Sequence, residues 1–331
     1  MVEQVRSFSR TVTQRIGALS DRFMERNRPL AQSRMLWEIG LEGCEVRLLR
    51  SRLGLDSGHA SRLLRALEAE GLVVAERSAS DGRVRMARLT PAGVREREQL
   101  DERSDEHAAS ILSGLDAARR EQLVGAMRTV ERLLTAAAVE IRMVDPAGRD
   151  ALRCLSAYYA ELNRRSDKGY DPKAGISAEP HELRPPAGAF FVAYLRGEAI
   201  GCGGVKHHGG APAEIKRMWV AESARGLGVG RRMLARLEAC ARDNGAAIAH
   251  IETNGTLVEA MSLYLSVGYV EVPPFNDEPF ADHWLERQLA DAESAAVSGS
   301  SRSDDATLAA DDELGADEPD PTTARQAGPL H

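Results

Sequence analysis

Residues 213–254 read AEIKRMWVAESARGLGVGRRMLARLEACARDNGAAIAHIETN. The apolar spacing predicts a strand over Glu214–Val220 and, after a glycine-rich turn at Arg225–Gly230, an amphipathic helix that Asn244-Gly245 ends. A second strand follows at Ile248–Glu252. Glycines at the entry to a helix let backbone N–H groups approach a pyrophosphate closely, and the helix dipole favours negative charge there. The segment therefore predicts a strand–turn–helix–strand unit with an anion-binding turn.

Two other phosphate-binding motifs fit this segment poorly. The run Arg-Gly-Leu-Gly-Val-Gly at 225–230 does not have the G-x-G-x-x-G spacing of a dinucleotide fingerprint. The chain also has no Gly-Lys-Ser or Gly-Lys-Thr triplet of a P-loop. The glycine turn alone is weak evidence for a phosphate site. Its position between a strand and a long helix strengthens that prediction.

Strands and helices alternate on both sides of this unit. The predicted elements are a strand at Glu140–Val144, a helix at Ala151–Arg165, strands at Phe190–Leu195 and Ala199–His207, and a helix that bears Leu257, Ala260, Met261 and Tyr264. Residues 139–290 are therefore expected to form an α+β domain with a mixed central sheet.

The arrangement resembles the GNAT superfamily of acetyltransferases over about residues 140–290, because R/Q-x-x-G-x-G/A is its coenzyme A motif. The resemblance implies acetyl-CoA as co-substrate, with the pyrophosphate held by Arg225 and the backbone of Gly226, Leu227, Gly228, Val229 and Gly230. It also implies that the backbone of Met218, Trp219 and Val220 pairs with the pantetheine arm, and that Asn254 is a further contact. Tyr264, in LYLSVGY, matches the tyrosine that protonates the departing thiolate.

A general base is also expected, because an aliphatic amine with a pKa near 10.4 must lose a proton, at a cost of about 4–5 kcal/mol at pH 7. Glu214 is the first candidate and Glu252 the reserve. The alternatives are that Glu214 is an ordinary strand-surface carboxylate paired with Lys216 or Arg217, and that Tyr264 is only a core aromatic. Polar side chains that could surround the acceptor are Arg164, Arg165, Asn276 and His283.

The first part of the chain has a different pattern. Helices are predicted over residues 5–27 and 29–40 and over Glu45–Leu53, and then a helix capped by Asp56 or Ser57 and by Gly71. Two short strands, Val73–Arg77 and Val84–Leu89, flank the turn signal Asp81-Gly82. From Arg47 to Arg88 nine arginines outnumber five acidic residues. A helix pair followed by such a ribbon predicts a winged helix with a surface suited to a polyanion.

The segments LDSGHASRLLRALEAEGLV, SDGRVRMARLT and PAG resemble the MarR family of transcriptional regulators over about residues 5–138. The resemblance implies that Arg83 enters the minor groove of double-stranded DNA and that Asp81 orients it. It also implies a set of residues that face the major groove, namely Ser57, His59, Ser61, Arg62 and Arg65. Helices are predicted from Pro91 to Ser113 and over Asp116–Ala138, and by the same resemblance the terminal helices form a homodimer.

Composition sets the remaining bounds. The net charge is −7, but residues 291–331 contain ten acidic residues and two arginines, so residues 1–290 sum to +1. That tail has almost no large apolar side chains and is expected to be disordered. The four cysteines are far apart, which favours reduced structural thiols and predicts no metal site. The absence of a long apolar run predicts a cytoplasmic protein with no membrane segment.

Together these patterns predict a MarR-like DNA-binding and dimerisation domain over residues 1–138, a GNAT domain over 139–290 and an acidic tail over 291–331. The predicted function is that of a transcriptional regulator that also acetylates a small amine or amino-acid-like acceptor. The alternative is a regulator whose GNAT domain is a non-catalytic sensor of acetyl-CoA or of a ligand.

Overall fold

The computed structural model describes residues 1–16, 28–78, 82–166, 169, 171, 174–176 and 178–289. The first part of the chain is helical with one small antiparallel sheet in the order β1-β3-β2. Its elements are α1 (Val2–Arg15), α2 (Leu30–Ile39), β1 (Cys44–Glu45), α3 (Val46–Leu53), α4 (Ser57–Ala69), β2 (Val73–Arg77), β3 (Arg85–Leu89), α5 (Pro91–Ser113) and α6 (Ala117–Ala137). The predicted winged helix is confirmed, and residues 17–27 of the first predicted helix lie outside the described residues.

Helix α4 is capped at both ends. Asp56 accepts a 2.8 Å hydrogen bond from the backbone N–H of His59, which satisfies one of the free amides of the first turn. At the other end Gly71 adopts a positive φ of 69°, and the N–H of Leu72 donates to the carbonyl of Leu67 at 3.0 Å. The face that packs into the core consists of Ala60, Leu63, Leu64 and Leu67. The caps therefore set where α4 begins and ends, and its apolar stripe decides which face points outward.

The segment Thr90-Pro91-Ala92-Gly93 fastens α5 to the base of the wing. Thr90 accepts a hydrogen bond from the N–H of Gly93 at 3.1 Å and donates its own N–H to the carbonyl of Leu72 at 3.0 Å. A methyl group at position 93 would overlap that same carbonyl oxygen. Only glycine allows α5 to begin this close to the end of α4.

The second part of the chain surrounds a seven-stranded sheet in the order β4-β5-β6-β7-β8-β10-β9, in which only β7 and β8 are parallel. Its elements are β4 (Val139–Met143), α7 (Arg149–Arg165), β5 (Gly188–Leu195), β6 (Glu198–His208), β7 (Ala211–Val220), α8 (Val229–Asp243), β8 (Ile248–Thr253), α9 (Val258–Ser266), β9 (Val270–Val272) and β10 (His283–Gln288). The expected α+β fold with a mixed sheet is confirmed.

Both faces of this sheet are buried. On one face Phe191 and Ala193 pack with Met233 and Leu237 of α8. On the other face Phe190 and Val192 pack with α7. Because neighbouring residues of a strand point to opposite faces, β5 is apolar throughout rather than alternating. The sheet is the middle layer between α7 and α8.

The two parts of the chain touch within one unit, residues 1–289. Arg52 of α3 forms an ion pair with Glu198 at the start of β6. Arg232 of α8 donates to the carbonyls of Ala136 and Val139, at 2.7 Å each. The predicted division after residue 138 falls between α6 and β4, and it stays a prediction.

The described ranges were searched for membrane-spanning helices and for metal-binding groups. No helix in these ranges combines the length and apolarity that a membrane crossing requires. No group of three or more His, Cys, Asp or Glu side chains in the same ranges is arranged to hold a metal ion.

We predict that Gly93→Ala destabilises the first domain by about 1–3 kcal/mol, because the added methyl group forces α5 away from the Leu72 carbonyl. Gly125→Ala is the matched control, since Gly125 lies within α6 with no atom near the added methyl group. Alanine there should be neutral or stabilising by about 0.5–1 kcal/mol. Urea unfolding followed by circular dichroism measures both. Equal midpoints for the two variants would contradict the close approach.

Candidate functional site

The site begins where strands β7 and β8 separate. They are paired at Ala213–Ala249 and Glu214–His250 and diverge after that point. On its other edge β7 bulges against β6, because Cys202 is opposite Trp219 while Gly204 is opposite Lys216. Arg217, within the bulge, has a positive φ of 57°. The divergence opens the sheet between the carboxyl ends of two neighbouring strands.

The glycine loop forms one wall of this opening. A short 3₁₀ turn at Glu222–Ala224 leads into Gly226 and Gly228, whose φ angles are 78° and 73°, and α8 begins at Val229. Amides in the first turn of a helix have no intrahelical acceptor and carry the positive end of the helix dipole. The loop therefore presents N–H groups in the way that a phosphate requires.

A groove of about 510 Å³ runs along this loop. Eight of the ten residues predicted to bind the cofactor line it, namely Met218, Trp219, Val220, Arg225, Gly226, Gly228, Val229 and Gly230. The side chain of Leu227 packs toward the hydrophobic core instead. Asn254 lies in the neighbouring cavity. The residues chosen from the glycine motif are thus brought together along one surface.

Glu161 of α7 organises the polar end of the groove, and sequence analysis did not single it out. One of its oxygens is 2.6 Å from Nη2 of Arg225, and the other accepts a 2.9 Å hydrogen bond from Nε1 of Trp219. Arg165 is a third partner at 2.9 Å. Burial raises the pKa of Glu161, but the bonds from Trp219 and Arg225 outweigh it and the pKa is lowered. The sequence did contain one sign of this role, because Glu161 stands on the face of α7 that is otherwise apolar.

A second cavity lies between the ends of β7 and β8. Its walls come from 215–218 of β7, 251–254 of the β8 end, α7, α9 and a loop that includes Glu278 and Phe280. It meets the groove at six shared residues, namely Tyr158, Leu162, Met218, Leu257, Ala260 and Tyr264. A ligand in the groove and a ligand in the cavity would therefore meet at this boundary.

Tyr264 stands at the boundary between groove and cavity. It is 4% exposed, and its ring centroid is 5.9 Å from that of Tyr269. Burial, together with the nearby Glu252 carboxylate, raises the pKa of Tyr264 well above its ordinary value. The phenol therefore stays protonated at neutral pH and can act as a proton donor. Tyr264 is at once a core residue and a cavity residue.

The two candidate bases have different surroundings. Glu214 lies 2.9 Å from Nε2 of His208 and 3.0 Å from Nζ of Lys216, and it lines neither the groove nor the cavity. Burial raises the pKa of Glu214, but Lys216 and other cations outweigh it, so the pKa is lowered. Glu252 lines the cavity, and burial raises its pKa. The catalytic role of Glu214 stays a prediction, and the geometry favours Glu252.

Asn254 uses its side chain within the loop after β8. Its Nδ2 donates to the carbonyl of Phe280 at 3.0 Å, and its Oδ1 accepts from the N–H and hydroxyl of Thr256 at 3.0 and 2.6 Å. These bonds shape the cavity wall. A direct contact of Asn254 with a cofactor stays a prediction.

The predicted acceptor residues are dispersed. Arg165 lines the groove and pairs with Glu259 at 2.7 Å as well as with Glu161. Asn276 accepts from Nε1 of Trp284 at 2.8 Å, and His283 lies 2.7 Å from Glu271. Arg164 is exposed on α7. Of these four, only Arg165 borders either space.

The predicted DNA-facing residues share one side of α4. Ser57, Arg62 and Arg65 are exposed, while His59 and Ser61 are half-buried. Arg83 is exposed beside the wing strands, which close through a 2.7 Å hydrogen bond from the N–H of Ser78 to the carbonyl of Val84. Asp81 lies outside the described residues. The helix and the wing thus both present arginine to solvent.

Two family models match this sequence, one described as "Acetyltransferase (GNAT) domain" over residues 186–271 and one described as "MarR family" over residues 27–84. An IAA acetyltransferase from Azospirillum brasilense is 33% identical over 116 residues, which cover 35% of this chain and 76% of that protein. A solved GNAT-family acetyltransferase from Staphylococcus aureus is 16% identical over 46% of this chain and 100% of its own, with a TM-score of 0.40. The PcaV transcriptional regulator from Streptomyces coelicolor is 24% identical over 38% of this chain and 93% of its own, with a TM-score of 0.33.

We expect Gly228→Glu to weaken coenzyme A binding by roughly tenfold or more, because a carboxylate would stand among the amides predicted to face the pyrophosphate. Gly245→Glu is the control, since Gly245 also has a positive φ and open space but lies beyond the far end of α8. Titration calorimetry with coenzyme A compares the two. If both variants fold and bind equally well, the loop is not the pyrophosphate site.

Proposed function

This chain belongs to the GNAT family of N-acetyltransferases and carries a MarR-family domain ahead of its acetyltransferase domain, and from that premise we propose a transcriptional regulator that acetylates a small amine or amino-acid-like acceptor. The proposal of catalysis rests on one observation, which is that the groove and the cavity meet at Tyr264. A donor in the groove and an amine in the cavity would place the reacting atoms beside its hydroxyl.

The groove fits acetyl-CoA as donor substrate. Arg225 and the backbone amides of Gly226–Gly230 hold the pyrophosphate, since they combine a guanidinium with a helix N-terminus. Met218–Val220, beyond the short β7–β8 pairing, offer their backbone to the pantetheine arm. Acetyl-CoA supplies a thioester that an uncharged amine can attack.

Tyr264 is the proposed acid of the reaction. After the amine adds to the thioester carbonyl, the C–S bond breaks and the thiolate takes the phenolic proton. The raised pKa of Tyr264 keeps that proton in place until the thiolate forms. The acceptor ammonium must first give its proton to a carboxylate near the cavity.

The first domain is proposed to bind double-stranded DNA as a homodimer. Ser57, His59, Ser61, Arg62 and Arg65 on α4 would face the major groove, and Arg83 the minor groove. Residues 1–138 form this reader, residues 139–290 the enzyme, and 291–331 an acidic tail in the proposed division. The protein would act in the cytoplasm.

One observation favours a second candidate, a regulator whose GNAT domain senses a ligand without turnover. Arg52 lies in α3, the helix before α4, and pairs with Glu198 on β6. Strand β6 in turn borders the bulge of β7. Occupancy of the groove could thus influence DNA binding through a packed connection. Catalysis distinguishes the two candidates.

Thiol release from acetyl-CoA with a panel of primary amines and amino acids tests the enzyme. We expect turnover by the wild type and a fall of roughly tenfold or more in kcat for Tyr264→Phe, with acetyl-CoA affinity nearly kept, because the ring still packs but has no proton to donate. Tyr269→Phe is the matched control, since Tyr269 is equally buried beside Tyr264 and lines neither space. No release with any acceptor would support the sensor.

For DNA, we expect Arg62→Ala to weaken binding and to lower the slope of log affinity against log salt by about 0.9, because one phosphate contact is lost. Arg242→Ala, at an exposed position on α8, removes the same charge far from the helix and wing. Fluorescence anisotropy with duplex DNA at several salt concentrations measures both. Equal slopes for the two variants would remove α4 from the interface.

A further inference from the structure

Beyond the paired start of β7 and β8, two charged side chains face each other across the gap. Lys216 of β7 forms an ion pair with Glu252 of β8. Its ammonium also lies 3.0 Å from Glu214 on the same strand. The Lys216 side chain is only 6% exposed and that of Glu252 only 9%. A buried ammonium therefore sits between two carboxylates at the edge of the cavity.

Lys216 holds only one of the two Glu252 oxygens. It bonds Oε1, while Oε2 is buried and accepts no hydrogen bond from any residue that the structure describes. A buried carboxylate oxygen without a donor is unfavourable, because it has lost its water and gained no partner. Glu252 lines the cavity that Tyr264 also borders, so a turn of its carboxylate would bring this oxygen to a donor of a bound molecule.

We propose that Glu252 is the base that receives the acceptor proton, and that Lys216 is the positioning residue that fixes one Glu252 oxygen and leaves the other available to bond the acceptor. The proposal rests on the acetyl transfer proposed above. It names the carboxylate for the proton step and predicts that the acceptor enters as an ammonium, which donates a charged hydrogen bond to Oε2.

The proposed reaction transfers the acetyl group from sulfur to nitrogen. The ammonium N–H bond breaks and its proton forms an O–H bond with Glu252, which leaves a neutral amine. The nitrogen lone pair forms the C–N bond at the thioester carbonyl, the C–S bond breaks, and sulfur takes the proton of Tyr264. The Tyr264 oxygen then takes the remaining excess proton from nitrogen, and Glu252 releases its proton to solvent. One acetyl amide, one free thiol and one proton result.

The electrostatics of the cluster suit this role. Burial raises the pKa of Glu252, the ammonium of Lys216 lowers it, and the carboxylates of Glu214 and Glu278 raise it, with a raised pKa as the result. A higher pKa makes a carboxylate a better match for an ammonium proton. Burial lowers the pKa of Lys216, but its two carboxylates outweigh that effect and keep it charged.

Glu214 does not share these properties. Its Oε2 also lacks a well-directed hydrogen bond, but that oxygen lies beside the Lys216 ammonium and outside the cavity. His208 occupies its other oxygen. The same ammonium that holds Glu252 in position therefore weakens Glu214 as a base.

The test is the pH dependence of kcat/KM, measured with the panel amine that the wild type acetylates fastest. Since only the deprotonated carboxylate accepts a proton, the rate should rise with pH through the pKa of Glu252. This rise is the acid limb of the pH profile. Glu252→Gln should remove the limb and lower kcat by roughly 10²–10⁴-fold, with acetyl-CoA affinity unchanged. A Glu252→Gln enzyme with the wild-type rate and limb would overturn the proposal.

Two variants on one strand should shift the limb in opposite directions. Lys216→Met removes the cation in contact with Glu252 and should move it upward by roughly 1–3 pH units, whereas Lys216→Arg should restore it. Glu214→Gln removes a nearby negative charge and should move the limb downward. A merely structural Lys216 would alter stability without moving the limb. Loss of the limb in Glu214→Gln but not in Glu252→Gln would assign the base to Glu214.

A second measurement needs no acceptor. Carbon-13 NMR of the glutamate carboxyls, with Glu252 identified by the resonance absent from Glu252→Gln, should show a pKa above the ordinary value of about 4.3. A pKa at or below that value overturns the proposal even if no amine is acetylated. If the pKa is raised and no panel amine reacts, the proposed acetyl transfer fails and this base assignment fails with it.

Discussion

The site depends on one constraint, the early end of the parallel pairing between β7 and β8. Only two residue pairs are in register before the strands part. The bulge at Arg217 on the opposite edge of β7 turns the strand away from β8. Strand ends that stayed paired would leave no space between them. Because they part, the glycine loop, Tyr264 and Glu252 border one continuous opening.

Charges inside this opening are tolerated because each has a partner. Glu161 joins Trp219, Arg225 and Arg165 in the groove. Lys216 pairs with Glu252 at the cavity and with Glu214 outside it. Breaking the buried pair of Lys216 and Glu252 would leave an uncompensated charge, at a cost of about 3–5 kcal/mol. The pairs therefore hold the side chains in fixed positions before any ligand arrives. In the proposed cofactor site, a phosphate would meet an Arg225 guanidinium that already bonds Glu161.

The winged helix uses a different chemistry. Residues 1–138 contain many arginines and no lysine, since the four lysines of the chain are Lys168, Lys173, Lys206 and Lys216. A guanidinium stays protonated and is not an ordinary acetyl acceptor. Acetylation of lysine therefore cannot remove charge from the proposed DNA surface. Communication between the domains would have to pass through contacts such as that between Arg52 and Glu198.

Local sequence determined most of the elements. The caps of α4, the proline and threonine at the start of α5, and the glycines before α8 act within a few residues, so spacing alone predicted them. Eight groove-lining residues were predicted because the glycine motif and the strand before it resemble the coenzyme A site of the GNAT superfamily. The short strands β1, β9 and β10 were not predicted, because two to six residues carry little pattern without their partners.

The choice of base depended on tertiary structure. Glu214 and Glu252 are both strand glutamates in the sequence. Only the register of β7 against β8 shows that Lys216 bridges them and that Glu252 faces the cavity. Glu161, far from the glycine loop in sequence, reaches Arg225 because α7 packs across the sheet. The sequence by itself determined the two folds and the glycine loop, while tertiary structure decided which carboxylates border the groove and the cavity, since burial and charge depend on neighbours distant in the chain.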